Sequence, residues 1–461
     1  MGEIFYSKNR YWIVLFLGIL FFLAIILSSY SYLISFLLIL LFFLFLLFFL
    51  SPLFVVYLIA LFLPVTGFAL TYSPLEIPFI DLLSLLVLSS FLIRHIYIYF
   101  FSLEKEKIKF PQGGAFLFFF LATLLSGLFS KDIFDSLWYS FRWILFFYLA
   151  FVVLPFNTIK NLVNLKRVLT FISLGGFLVA LMGLVSLFLQ DWQDSFFRVK
   201  PLFLFGDWIF GENYNLLAEF LILSSFIVLS LKYWFNSFRI SRFLNVLAVF
   251  LIFINFLTFG RTAWITIFLQ IFIYLAIEFL LIKKRKIILK EFILVSFLAL
   301  ILIAPFFVKM LSLQEANVSS TENRLLLTQI SWSSFWERPL VGHGSGSFVS
   351  LVEDNIRFVA KYGDPLDSHG FGQKVLAENG ILGTIAFLLF LFFIFRKIYL
   401  GLISNQKDYK LLLPLFVASF GGFFYQLFNT SYYKGRVWLP IAIALIAVEL
   451  IDKNKGKDKN D

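Results

Sequence analysis

Residues 367–399 read DSHGFGQKVLAENGILGTIAFLLFLFFIFRKIY. The stretch opens polar and rich in glycine, becomes an almost unbroken apolar run from Asn379, and closes on Arg396-Lys397. A helix crossing the hydrocarbon core of a bilayer needs about twenty predominantly apolar residues. Lysine and arginine directly after such a run mark its cytoplasmic end. The stretch therefore reads as a membrane span entered from the outer side by a polar segment that ends at His369.

Working outward, the same pattern recurs along most of the chain. Apolar runs lie near 11–30, 33–50, 52–71, 79–97, 114–130, 137–155, 166–189, 214–234, 243–259, 262–282, 288–308, 379–399, 410–428 and 436–451. They make about fourteen candidate spans, or about twelve if the first three merge, since only Ser29–Tyr32 and Ser51-Pro52 separate those. With 61% apolar and 14% charged residues, the 461-residue chain has too little polar side chain to cover a water-soluble globule. The expected fold is an all-α polytopic membrane protein with 12–14 transmembrane helices. Lys8 and Arg10 precede an apolar run longer than a signal-peptide core, so the first run is expected to be retained as a span.

The chain contains no cysteine, which excludes disulfides, thiolate metal sites and cysteine nucleophiles. Its formal charge of +11 is spread loop by loop rather than gathered in a patch, which argues for topology and against nucleic acid. Assigning alternate loops to the two sides places most lysines and arginines together, among them Lys105, Lys107, Lys109, Lys283, Lys284, Arg285, Lys286, Arg396 and Lys397. By the positive-inside rule this side is cytoplasmic and holds both termini. The expected organisation is membrane domain 1–308, large outward loop 309–378, C-terminal helices 379–451 and a lysine-rich cytoplasmic tail 452–461. The 67 phenylalanines serve as lipid-facing filler.

Basic residues on the outer side run against the rule. Arg142, Arg198, Lys200, Arg261 and Arg436 fall at or near the outer ends of spans. An arginine at membrane depth costs a few kcal/mol and needs an anionic partner. Two kinds of partner fit. Asp81, Glu212, Glu219 or Glu378 would form structural ion pairs, whereas a lipid diphosphate would be gripped by forked guanidinium hydrogen bonds.

The outward loop offers two of the three histidines. His343 lies in Arg338-Pro339-Leu340-Val341-Gly342-His343-Gly344-Ser345-Gly346-Ser347-Phe348, which superficially looks like a phosphate-binding glycine loop but lacks its Gly-Lys-Ser/Thr ending. Its glycines read as tight turns that fold the loop down over the membrane domain, with His343 packed or hydrogen-bonded. His369 stands at the mouth of the membrane domain, where an imidazole can take a proton from an incoming hydroxyl near neutral pH. A capping role for His369 is the structural alternative. His95 falls at the cytoplasmic edge of a span.

At these residues the chain resembles the O-antigen ligase and polymerase family. The family pattern places an acidic residue and a glycine nine and eleven residues after a histidine, as Glu378 and Gly380 stand to His369. The departures are Gly370, where the family has an amide or hydroxyl, and Gln373, where leucine is commoner. Pro339–Gly344 with Phe348 looks like the family's Pro-Leu-x-Gly-x-Gly segment. Thr258–Ala263 looks like its Thr-x-Ser-Arg turn with Gly260 for serine, and Asn213–Glu219, containing Asn215, is similar to its asparagine-bearing helix start. The matches run from about residue 198 to 440.

The resemblance implies a GT-C-like helical bundle and a metal-independent, cofactor-free, inverting transfer of glycan from undecaprenyl diphosphate. It implies Arg198 and Arg261 on the diphosphate and His369 as base or acceptor-orienting group. Arg142 and Arg436 would bind the lipid head, with Glu378, Asn215 and His343 in support. The favoured acceptor is lipid A-core at the periplasmic face of the inner membrane, as in an O-antigen ligase. A polymerase would use a second lipid-linked glycan instead. A flippase or transporter of lipid-linked glycan is a third reading, opposed by the gathering of charge at the outer ends of spans rather than at mid-bilayer.

Overall fold

The computed structural model describes residues 51–65, 69–72, 75–101, 107–189, 198–204, 207–211, 213–281 and 314–457. They fall into two compact units, one within Met1–Val55 and Leu83–Lys107, the other within Val56–Leu82 and Ile108–Asp461. The expected spans at 11–30, 33–50 and 288–308 lie outside the described residues. So does Glu212.

The architecture is nearly all helical. In chain order it runs α1 (Pro52–Phe62), the hairpin β1 (Ala69–Tyr72) and β2 (Leu75–Pro78), α2 (Phe79–Phe101), α3 (Gly113–Leu128), α4 (Ile133–Thr158) and α5 (Leu162–Phe188). A two-residue hairpin follows, β3 (Phe203–Leu204) with β4 (Asp207–Trp208), then α6 (Tyr214–Ser230), α7 (Phe238–Phe256) and α8 (Arg261–Leu281). The chain continues through α9 (Gln314–Glu337), α10 (Phe348–Glu353), α11 (Ile356–Tyr362), α12 (Phe371–Ser404), α13 (Tyr409–Tyr425) and α14 (Gly435–Lys457). Among the described residues, eight helices are long and apolar enough to cross a membrane, and Pro52–Phe62 and Gly113–Leu128 are shorter apolar helices. The protein is a multi-pass membrane protein.

The apolar run expected over 52–71 is helical only to Phe62. Pro64, which has no backbone donor, follows the helix end, and Ala69–Tyr72 pairs antiparallel with Leu75–Pro78 instead.

Within the larger unit α6 is the central helix. Every residue from Leu217 to Val228 is buried, as expected of a helix that is apolar all round and enclosed by others. Two buried amides join it to its neighbours: Asn255 of α7 donates to the Ala218 carbonyl at 2.8 Å, and Gln270 of α8 donates to the Ile222 carbonyl at 3.3 Å and to Val417 of α13 at 3.1 Å. Such bonds hold helices together where lipid gives no hydrophobic drive to associate. Some of the abundant phenylalanine is core rather than filler. Phe116 stacks on Tyr148 at 3.7 Å, and Phe147 on Trp438 at 4.5 Å.

The expected loop 309–378 is largely helical where it is described. Leu327 and Ile330 of α9, Phe348 and Val352 of α10, Phe358 of α11 and Ala377 of α12 form one buried cluster, which docks this segment on the membrane helices. His95 belongs to the smaller unit, where its Nδ1 lies 3.1 Å from the Phe91 carbonyl.

Candidate active site

The His369–Gly380 spacing acquires a meaning from a break in α12. Gly380 has φ 59° and ψ −162°, which interrupts the helical ladder and leaves backbone groups without partners on either side. The glycine turns of 339–344 supply those partners. His343 and Gly344 donate to the Ala377 and Glu378 carbonyls at 3.1 and 2.8 Å, while Pro339 and Leu340 carbonyls accept from Ile381 and Leu382 at 2.9 and 3.3 Å. The approach is so close that a Cβ at Gly342 would come 2.3 Å from the Glu378 carbonyl oxygen.

Glu378 is fully buried, and its Oε1 accepts from the Phe348 N–H at 3.1 Å, at the start of α10. His343 is also buried, with Nε2 2.9 Å from the Ser334 carbonyl. Glu378 thus ties this segment to α12, and His343 is packed and hydrogen-bonded within the segment.

His369 sits on the turn into α12. The Asp367 carboxylate accepts from the Ser368 N–H at 2.8 Å and from Lys374 Nζ at 2.9 and 2.7 Å. Gly370 packs against the end of α13, where a Cβ would lie 2.3 Å from the Leu427 carbonyl oxygen. That is the physical reason for glycine where the family has an amide or hydroxyl. Gln373 donates to Thr328 of α9 at 2.6 Å, which accounts for the second departure. The imidazole is half-buried and makes no hydrogen bond among the described residues. Burial, together with the nearby Arg324 guanidinium, holds its pKa below the ordinary 6.5 against the opposing pull of Asp367.

The C-terminal ends of α5 and α7 and the N-terminal ends of α6 and α8 meet beside the C-terminal end of α13. Arg198 lies over the Tyr214 ring at 3.7 Å, and its neighbour Val199 donates to the Leu257 carbonyl at 2.8 Å, in the turn that leads to Arg261. Gly260 of that turn faces the Asn215 side chain, and the Asn215 carbonyl accepts from Tyr425 at 3.1 Å. Arg324 acts electrostatically on both Tyr425 and His369. Arg261 is exposed at the first turn of α8, where the helix dipole disfavours a cation, so helix stability does not explain it.

Arg142 and Arg436 are arranged differently, because each meets a protein carboxylate. Arg142 donates to Asp81 at 3.0 Å. Arg436 Nε lies 3.1 Å from Glu219, both side chains being buried, and Gln426 and Asn429 complete the glutamate's partners at 2.9 and 3.1 Å. These are the ion pairs of the structural alternative.

Sequence reading passed over three cations here: Arg324, Lys374 and Lys434. The acids seven residues before Lys374 and four after it were the available signal. Lys434 shares with Asp81, Trp143 and Arg436 a cavity of about 30 Å³, room for a water molecule. Among the described residues no group of three histidine, cysteine or acidic side chains could hold a metal ion.

A family model described as O-antigen ligase matches residues 246–388. This segment resembles an O-antigen ligase domain. The matched segment includes Arg261, Arg324, the turns of 339–347, His369, Glu378 and the break at Gly380; Arg198, Asn215 and Arg436 lie outside it. No curated protein matches the chain in sequence. That family match, in a multi-pass membrane protein, supports a glycan-handling role of the ligase and polymerase kind.

Proposed function

We propose that this protein is a membrane glycosyltransferase of GT-C type that moves a glycan from undecaprenyl diphosphate to lipid A-core at the outer face of the inner membrane. The acceptor hydroxyl attacks the anomeric carbon on the face opposite the leaving group. The bond from that carbon to the diphosphate oxygen breaks, its electron pair stays with the diphosphate, and the configuration inverts. His369 takes the hydroxyl proton. Arg198 and Arg261, with Arg324 beside His369, offset the charge that grows on the departing diphosphate, an effect stronger in a partly water-excluded site than in bulk water.

The observation that carries the reading is the His369 turn itself. A half-buried imidazole, its pKa lowered by burial and by the charge of Arg324, stands on that turn at the same end of the helices as Arg198 and Arg261. Its pKa keeps the base neutral at pH 7. The positive-inside assignment makes this end periplasmic.

Purified protein in proteoliposomes, given undecaprenyl-diphosphate-linked glycan with lipid A-core, is expected to form a covalently joined product, and to do so in EDTA. Offering a second lipid-linked glycan as acceptor tests the polymerase reaction in the same vesicles. Movement of the carrier across the bilayer without bond cleavage would defeat the transferase reading.

A further inference from the structure

Next to the His369 turn, but apart from the residues assigned above to diphosphate and proton transfer, the turn between α3 and α4 and the glycine turns at 343–347 enclose a pocket of about 250 Å³. Asp132, Asp135, Ser136, Ser347 and Ser350 line it. Tyr139 forms the wall toward the site. Its ring lies 5.5 Å from the Lys374 ammonium that grips Asp367, and 5.9 Å from the Tyr433 ring.

The lining chemistry selects a ligand. Ser136 is buried, and among the described residues its Oγ has no hydrogen-bond partner, a cost a native fold rarely leaves unanswered. One oxygen of Asp132 is committed to the Asp135 N–H at 3.2 Å, and Asp354 is committed to Lys131 at 2.7 Å. The Asp135 carboxylate and the Ser350 hydroxyl stay available at exposed positions. Carboxylates repel an anion. No three-ligand metal grouping exists among the described residues. Serine hydroxyls beside carboxylate acceptors match a neutral molecule dense in hydroxyl groups. The volume falls just below the ~300 Å³ at which pockets begin to take drug-sized ligands, which suits one sugar ring rather than a chain.

We propose that this pocket seats a single uncharged pyranose residue of the glycan, adjacent to the bond being made. The inference rests on the transferase reading and extends it to the recognition of sugar. Donor and acceptor glycans share this chemistry, and the experiment distinguishes them.

Full-length protein in detergent is titrated with methyl glucoside, methyl galactoside and N-acetylglucosamine and followed by saturation-transfer NMR. Two variants are compared with wild type: Ser350→Trp, which fills the mouth from an exposed position, and Asp135→Asn, which removes the carboxylate. At least one sugar is expected to saturate in wild type, and binding to weaken about tenfold or more in Ser350→Trp with an unchanged melting temperature. In the transfer assay Ser350→Trp raises KM for the acceptor if the acceptor sugar sits here, or for the donor if the donor sugar does, with kcat held. No sugar saturation in wild type, or equal saturation and both KM values unchanged in the variant, would overturn the pocket while leaving the reading of His369 intact. Sugar binding without any transfer by wild type would instead sink the transferase reading.

Discussion

Lys374 Nζ lies 2.9 and 2.7 Å from the two carboxylate oxygens of Asp367, across the turn that carries His369. The lysine side chain is 4% exposed and the aspartate 31%, so the pair is shielded chiefly on the lysine side. Glu378 stands a further 3.8 Å from the same ammonium. One buried cation therefore ties the turn to the helix that follows and balances two carboxylates.

Removing that cation leaves carboxylates without a partner, and breaking a buried pair from one side costs on the order of 3 kcal/mol. Lys374→Met is expected to slow transfer by about a hundredfold, because loss of the clamp shifts His369 by a fraction of an ångström to an ångström. Lys374→Arg restores part of the rate. Hydrogen exchange over residues 365–372 checks the cause, since faster exchange in Lys374→Met accompanies the lost rate. Unchanged exchange together with a lost rate would assign Lys374 a different role.

Gly370 has an extended φ of −165°, which any residue adopts, so space rather than strain demands glycine there. An alanine Cβ would lie 2.3 Å from the Leu427 carbonyl oxygen, and backbone at a helix end yields little. Gly370→Ala is expected to destabilise the protein by about 1–3 kcal/mol through overpacking. Transfer falls by one to two orders of magnitude as the His369 turn lifts from α13. A variant that melts and turns over like wild type would show that the turn does not dock as described.

The pH dependence has a definite sign. Held below its ordinary value of 6.5, the His369 pKa keeps the imidazole neutral to a lower pH than a free histidine would manage. The acid limb of kcat/KM is therefore expected below pH 6.5, and His369→Gln leaves no measurable transfer at any pH. In the unfolded chain the histidine protonates first as pH falls, so its contribution makes stability decline as pH drops through 6.5. A limb centred above 6.5 would assign the titration to another group.

Arg261 and Arg436 separate function from support. Arg261 is exposed and opposed by the dipole of the helix it begins, so Arg261→Gln is expected to abolish transfer with the melting temperature unchanged or slightly raised. Arg436→Gln strands Glu219, which is fully buried, at a cost of about 3–5 kcal/mol. Thermal unfolding of the two variants side by side reads the difference. A large loss of stability in Arg261→Gln and none in Arg436→Gln would reverse the assignment.

How far these relationships are legible in sequence depends on their range. Spans such as 214–234 and 166–189 follow from apolar length alone, because lipid obliges the backbone to satisfy itself within a helix. The run at 52–71 misled because residues 69–72 are apolar enough for a span yet pair as a strand with 75–78. His369, Glu378 and Gly380 were legible as a spacing. That Gly380 breaks a helix and is completed by Pro339–Gly344 was not, since those hydrogen bonds join residues some forty positions apart. Arg142 and Arg436 showed that they needed anions, but Asp81 and Glu219 come from other helices, and only packing selects a carboxylate over a lipid phosphate. Arg324 lay in a stretch read as loop, whose helical rise is what brings it to His369.

Lys434 presents the opposite case, a cation directly before the N-terminal end of α14 with no carboxylate within 4 Å of its ammonium among the described residues. Burial and the neighbouring Arg436 push its pKa down from 10.5 to about 8. Between those values the unfolded chain holds a proton that the folded one has released, so stability rises with pH from 8 toward 10.5, and the full penalty is present at pH 7. Lys434→Met is therefore expected to stabilise the protein at pH 7 by on the order of 1 kcal/mol and to flatten the dependence above pH 8. Transfer falls at the same time, because a buried charge that weakens the fold persists where an anionic substrate needs it. Melting curves and transfer rates of the two proteins at pH 7 and 9.5 test both halves. A variant no more stable at pH 7, or more stable and equally active, would remove Lys434 from the site.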